Sequence, residues 1–328
     1  MPLDDPKFAY FQEMVAQRSG VLLQERNRAL VSERVSTLSM RFGFGGVEHF
    51  IEHLRESHYS RLHREVVEEL IAEDTFFFRD FATFKVLRHN VFPEVLAARK
   101  MTSQLNVWCA GCASGQEAYS ISIMAREAIP SLTGWEVRIV GTDISHSQLA
   151  QAQSGVYSEY EVRRGLPEVF LDRHFQKLDG THWVIDPTHQ DAVEFFALNL
   201  LEPARELPVF DIVFLRNVLR YFDESARQRV LVNIRARTHA GTYLLLGAGE
   251  PNPAPEQLAP CEWPDVYRWC ERDLSTQPVE GAGADELAVF QAHEAIEVVG
   301  EVVETLPSET YLKLSFAQAP SIEEEEEE

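Results

Sequence analysis

Only four of the 328 residues are cysteine, too few and too irregularly placed for a disulfide framework. No apolar run approaches the roughly 18 residues that a membrane span needs. The first residues carry Asp4 and Asp5 and lack the basic-then-apolar layout of a secretory signal. The chain is therefore expected in the cytoplasm, with no membrane insertion. Positive charge is also scarce: 30 Lys and Arg face 52 Asp and Glu, a formal charge of −22. Nucleic acid is not an expected partner, because phosphate binding needs clustered Lys and Arg. None of the 11 histidines has zinc spacing with partners, so no metal is expected. The acid excess is uneven, about −1 over residues 1–100 against about −16 over 251–328.

What is present is an ordinary globular composition, 45% hydrophobic and 25% charged, enough for a sizeable core in about two domains. Phe8, Phe11, Met14 and Val15 recur at helical spacing, and Gly20 stands where a C-cap would end that helix. A second helix is expected over about Gln24–Arg41, with Leu30, Val31, Val35 and Leu38 as its apolar stripe. Two more, about Val47–Ser57 and Ser60–Ile71, complete a helical domain over 1–72. Residues 73–104 read as a linker and helix.

From residue 105 the pattern changes. Leu105–Cys109, Val137–Thr142, Asp211–Leu215 and Thr242–Gly247 read as strands. They alternate with helices at Ala118–Ala128, Ser147–Ser154 and about Ser225–Arg237. This alternation predicts an α/β fold, a doubly wound, mainly parallel sheet over 105–271. Short β-type runs within about 174–198 suggest a small antiparallel subdomain. The Pro-rich 251–262 segment reads as irregular, and Val266–Cys270 as a last strand at the sheet edge. Residues 272–328 read as an acidic extension with a hairpin across 306–309 and a self-repelling Glu run at 323–328.

The segment VWCAGCASGQEAYS, 107–120, joins a buried strand to a helix through Gly111 and Gly115. Glycines there let backbone approach a ligand, although the spacing is neither G-x-G-x-x-G nor a P-loop. Asp143, at the end of the next strand, sits where an acid takes ribose hydroxyls in dinucleotide-type folds; its other reading is a helix N-cap. Together they favour an adenosine ligand without separating NAD from S-adenosylmethionine. Cys109 and Cys112 have C-x-x-C spacing inside this loop, not before a thioredoxin-like helix.

Three further segments, Thr75-Phe-Phe-Phe-Arg79, Asn199-Leu-Leu201 and Arg216-Asn-Val-Leu-Arg-Tyr-Phe-Asp223, join the glycine loop and the GTDIS stretch at 141–145. As a set they closely resemble the chemotaxis receptor methyltransferase family, CheR, over about residues 10–270. The resemblance implies a Rossmann-like methyltransferase with S-adenosylmethionine as cofactor, S-adenosylhomocysteine as product, and an N-terminal helical domain closing over the site. It implies that Thr75, Arg79, Gly111, Glu117, Asp143, Asn199, Leu200, Arg216 and Asn217 surround the cofactor. Arg79 and Tyr221 would serve the transfer, Arg79 by holding the acceptor carboxylate. The acceptor would be a glutamate of a chemoreceptor-like methyl-accepting protein. Arg28, Arg34 and Arg41 would form its docking face, and the compact antiparallel segment resembles the type that works without a tail pentapeptide. The sequence departs from the family pattern at Glu73, Gln116, Ala118, Leu215, Arg220 and Ala240. Two other readings fit the same residues: a cofactor-binding signalling scaffold of little or no activity, and a methyltransferase of a small molecule or another protein.

Overall fold

The computed structural model describes residues 3–71, 75–128 and 134–271. The expectations at Glu73 and over 272–328 lie outside these residues. The front of the chain forms four helices, α1 (Asp5–Ser19), α2 (Arg28–Arg41), α3 (Val47–Glu56) and α4 (Arg61–Ile71). Asp4 caps α1 by accepting from the Lys7 N–H, and Gly20 ends it in the left-handed region, at φ 74°. The expected start of the second helix is a separate 3-10 turn, Glu25–Asn27, stabilised by a reciprocal cap between Gln24 and Asn27. Val31, Val35 and Leu38 are buried as expected, but Leu30 faces outward.

Helices α5 (Phe81–Val86) and α6 (Phe92–Ala98) are joined through a π-helical turn at Leu87–Val91, next to Pro93, whose missing N–H interrupts regular pairing. The sheet domain then runs β1 (Gln104–Ala110), α7 (Gln116–Ala128), β2 (Glu136–Asp143), α8 (His146–Ser154), β3 (Val156–Ser158), α9 (Glu159–Arg163) and α10 (Glu168–His174). It continues through β4 (Phe175–Lys177), β5 (His182–Ile185), α11 (Pro187–Gln190), β6 (Val193–Ala197), β7 (Phe210–Leu215), α12 (Glu224–Arg235), β8 (Thr238–Leu246), β9 (Leu258–Pro260) and β10 (Val266–Trp269).

Seven strands form one sheet in the order β6-β2-β1-β7-β8-β10-β9. The first five are parallel, and β10 and β9 close the far side antiparallel. Both faces are covered, so β7 is buried at all six positions, as a doubly wound sheet requires. The chain leaves β1 toward β2 and leaves β7 toward β8, on opposite sides. Where neighbouring strands part in this way, a crevice opens at their carboxyl ends.

Two placements correct the sequence reading. The small antiparallel sheet has the order β3-β5-β4, so it takes in residues 156–158 and gives up 193–197. β6 instead pairs in parallel with β2, from Ile139↔Val193 to Asp143↔Ala197. The β4–β5 hairpin is announced locally by Asp179-Gly180, whereas the partners of β3 and β6 are distant in sequence. Likewise β10 is not the edge: β9 lies outside it, pairing Tyr267↔Pro260. That strand falls in the segment read as irregular, because Pro is tolerated in an edge strand but hides it from pattern reading.

Candidate active site

The crevice at the strand ends is a cleft of about 1100 Å3 including its open mouth, large enough for a nucleoside-sized ligand. Thr75, Arg79, Gly111, Glu117 and Asp143 line it together with Asn199, Leu200, Arg216, Asn217 and Tyr221. All ten residues singled out for the site thus meet in one place. Arg28, Arg34 and Arg41 lie outside it. Arg28 pairs with Glu25 and Asp5, Arg34 donates to the carbonyls of Glu69 and Leu70, and Arg41 reaches Glu65.

Arg216, at the end of β7, organises the floor. Its side chain is 2% exposed. Nη1 donates to Glu117 Oε2 at 2.8 Å, and Nη2 donates to Asp80 Oδ2 at 2.6 Å and to the Arg79 carbonyl at 2.8 Å. Its buried Nε has no hydrogen-bond partner among the described residues. Asp80, next to Arg79 in sequence, thus pairs with Arg216. Burial pushes the Glu117 carboxyl above its ordinary range, while the guanidiniums of Arg216 and Arg79 pull it back.

The backbone around this floor is strained. Phe78, Asp80, Ala113 and Asn217 all have φ between 46° and 62°, a region costly for residues with a Cβ. The Phe78 N–H is held by Ser120 Oγ at 2.9 Å. The Asn217 N–H is held by Glu250, which also accepts from Gly247. Phe77 and Phe78 are core residues, Phe77 packing edge-on to Tyr157 and Phe175. Gly111 is required by close approach: an added Cβ would lie 2.6 Å from Val218 Cγ2.

Asp143 is not a helix cap. Ser145 caps α8 by accepting from the Gln148 N–H. The Asp143 carboxylate accepts from Ala113 N at 2.8 Å and Ser145 N at 2.9 Å, clamping the glycine loop to the end of β2. Burial raises its pKa against the pull of these backbone N–H groups. The buried Glu68 of α4 accepts from Ser145 Oγ and from the N–H and Oγ of Ser147. It pins the helical domain to the N-terminus of α8, where negative charge is favoured. The sequence reading missed Glu68 because it looks like any charged residue of the stretch EVVEEL.

The helical domain supplies another wall through Ser19, Val21 and Ile71. The Leu22 N–H donates to the Tyr221 carbonyl at 2.8 Å. Arg220, noticed in the sequence only as a departure, also lines the cleft; its Nε donates to Tyr221 Oη at 2.9 Å. Gln116, a departure at the start of α7, is buried and lines an adjoining polar recess with Thr75, Gln148 and Arg164. Cys109 and Cys112 are free and buried, and burial pushes both thiols well up, so neither is a thiolate at neutral pH. Among the described residues no group of His, Cys, Asp and Glu could hold a metal ion, and no helix is long and apolar enough to cross a membrane.

A reversing parallel sheet, with an acid ending its second strand and a roofed cleft over the glycine loop, has the layout of an adenosyl-binding domain. Residues 73–263 match the family described as CheR methyltransferase, SAM binding domain. The chain is similar to chemotaxis protein methyltransferases of Pseudomonas putida, 33% identical over 267 residues, and of Pseudomonas aeruginosa, 34% identical over 267 residues. Each match covers 80% of this chain and 97% of the relative. A chemotaxis protein methyltransferase of Vibrio anguillarum is 30% identical over 250 residues, covering 76% of this chain and 90% of the relative. Fold and matched region define an S-adenosylmethionine-dependent methyltransferase. The chain belongs to the CheR methyltransferase family.

Proposed function

We propose that the chain transfers a methyl group from S-adenosylmethionine to glutamate side chains of a chemoreceptor-like methyl-accepting protein, forming methyl esters. The observation that carries this reading is the convergence of Arg79, Tyr221, Glu117, Asp143 and Arg216 on one cleft. The residues fit the cofactor. Asp143 offers acceptor oxygens for ribose hydroxyls, Glu117 a carboxylate for an α-ammonium group, and Arg216 Nε a buried donor that lacks a partner among the described residues. Leu198, Asn199, Leu200 and Ile144 give the apolar and amide edge for a purine.

When bound, the cofactor supplies a methyl group on a positively charged sulfur. The acceptor carboxylate, with a reference pKa of about 4.3, is already ionised at neutral pH, so the protein need not remove a proton. Its tasks are alignment and exclusion of water. Arg79, whose guanidinium carbon lies 5.7 Å from the Phe76 ring centre, is assigned to orient that carboxylate. Tyr221 is assigned to contact the acceptor beside it. The Arg216 network holds Glu117 and the Arg79–Asp80 backbone fixed while this happens. The three strands of the small sheet, only three, four and three residues long, support an acceptor recognised without a tail pentapeptide.

The test uses methyl-labelled cofactor and the cytoplasmic fragment of a chemoreceptor. Label should enter the fragment and leave as methanol on mild base treatment. Label that resists base, or that appears only in small molecules, would sink the glutamate assignment.

A further inference from the structure

Arg220 has no role in the reading above, yet it stands at the mouth of the transfer cleft. It is exposed, lines the cleft, and immediately precedes Tyr221 in the 3-10 turn Leu219–Tyr221. Its Nε donates to Tyr221 Oη at 2.9 Å, and its guanidinium carbon lies 5.2 Å from the centre of the same ring. These two contacts hold the planar group in place. Its two Nη groups have no partner among the described residues, and they form the edge of a guanidinium suited to a carboxylate.

Which carboxylate it receives follows from the chemistry of transfer. The reacting carboxylate loses its negative charge as the methyl group arrives. A guanidinium paired to it stabilises the starting state more than the transition state. One such group, Arg79, is useful for orientation; a second on the same oxygens would slow the step. A guanidinium on a neighbouring acid that does not react carries no such penalty and adds binding. Neighbours on a helical acceptor lie about 5–6 Å apart at spacings of three and four residues, within reach of adjacent side chains at the cleft mouth.

Resting on the proposed glutamate transfer, we propose that Arg220 forms an acceptor subsite for a second carboxylate, an Asp or Glu within one helical turn of the methylated glutamate. Arg220 then selects acceptors by their acidic pairing, and Tyr221 serves as its anchor.

The experiment is calorimetric binding of a recombinant chemoreceptor cytoplasmic fragment to the full chain loaded with S-adenosylhomocysteine, which needs no turnover. Arg220→Ala should weaken fragment binding by about tenfold, as expected for one charge-assisted pair. Replacing the neighbouring acid of the fragment by Gln should cost about as much, and the two changes together no more than either alone. Arg220→Lys should recover part of the loss. Direct titration with S-adenosylhomocysteine shows whether the variant keeps its cofactor site. Additive losses, unchanged fragment affinity in Arg220→Ala, or loss of cofactor affinity in parallel would overturn the subsite. Methyl transfer by the unmodified chain is measured separately. Coupled binding without transfer defeats the proposed function, and with it the subsite's place beside a methylated glutamate; transfer without coupling defeats the subsite alone. An unmodified chain that binds no fragment defeats both.

Discussion

Arg216 concentrates at one residue what the cleft needs. Its guanidinium joins the end of β7 to α7 through Glu117 and to the 79–80 turn through Asp80 and a carbonyl. Arg216→Ala would leave two carboxylates without their shared cation, a change that costs about 3–5 kcal/mol for buried pairs. Urea unfolding should show a loss of that order, and Arg216→Lys should recover little, since one ammonium cannot span three acceptors. Asp143→Ala should reduce S-adenosylhomocysteine affinity strongly in calorimetry; equal affinity would remove the ribose assignment. At this scale the sequence was informative where residue type and order both mattered: Arg216, Asn217 and Asp143 were found through their segments. Asp80 belongs to no motif of its own, and the fold pairs it with Arg216 from 136 residues away.

At the scale of elements, the glycine loop between β1 and α7 and the turn after β7 form one contact. Gly111, at φ 81°, has no room for a Cβ beside Val218. Gly111→Ala should push back the 218–221 turn and cost about 1–3 kcal/mol, the range for overpacking. It should also lower cofactor affinity more than Gly43→Ala does; Gly43 has a positive φ of 76° but nothing within 4 Å of an added Cβ. Helices and parallel strands were legible because their apolar spacing is local: α1 with its Gly20 cap, and β7 with six buried positions. Strand partnership was not. β3 and β9 have three residues each, too short for a periodic signal, and β6 was credited to the wrong sheet because nothing in Val193–Ala197 itself states which strand it will meet.

At the scale of the whole molecule there is also a largely buried polar chain that contributes no residue to the cleft. Ser122 Oγ, His189, His174 and Glu127 follow one another at 2.8, 3.0 and 3.0 Å. Burial, then the neighbouring His174 and Arg126, push the His189 pKa down to about 3, with Asp186 opposing. The unfolded chain therefore binds a proton on His189 near pH 6.5 that the folded chain refuses. Stability from this residue is present above about pH 6.5 and is lost as pH falls toward 3. His189→Gln should flatten that part of the profile: the difference in melting temperature between the two proteins should shrink from pH 7.5 to pH 5. A constant difference would mean that His189 is not held neutral. No sequence pattern revealed this chain, since its members come from α7, α10 and α11 and have no motif spacing.

The seam at Leu22 and Tyr221 has an energetic corollary. Because the amide of one half is bonded to the carbonyl of the other, and Ser19, Val21 and Ile71 form part of the same wall, any occupant of the cleft meets both halves at once. The affinity for such an occupant therefore depends on contacts from both halves. Leu22→Pro, which removes the donating N–H, should therefore weaken binding although Leu22 does not itself line the cleft.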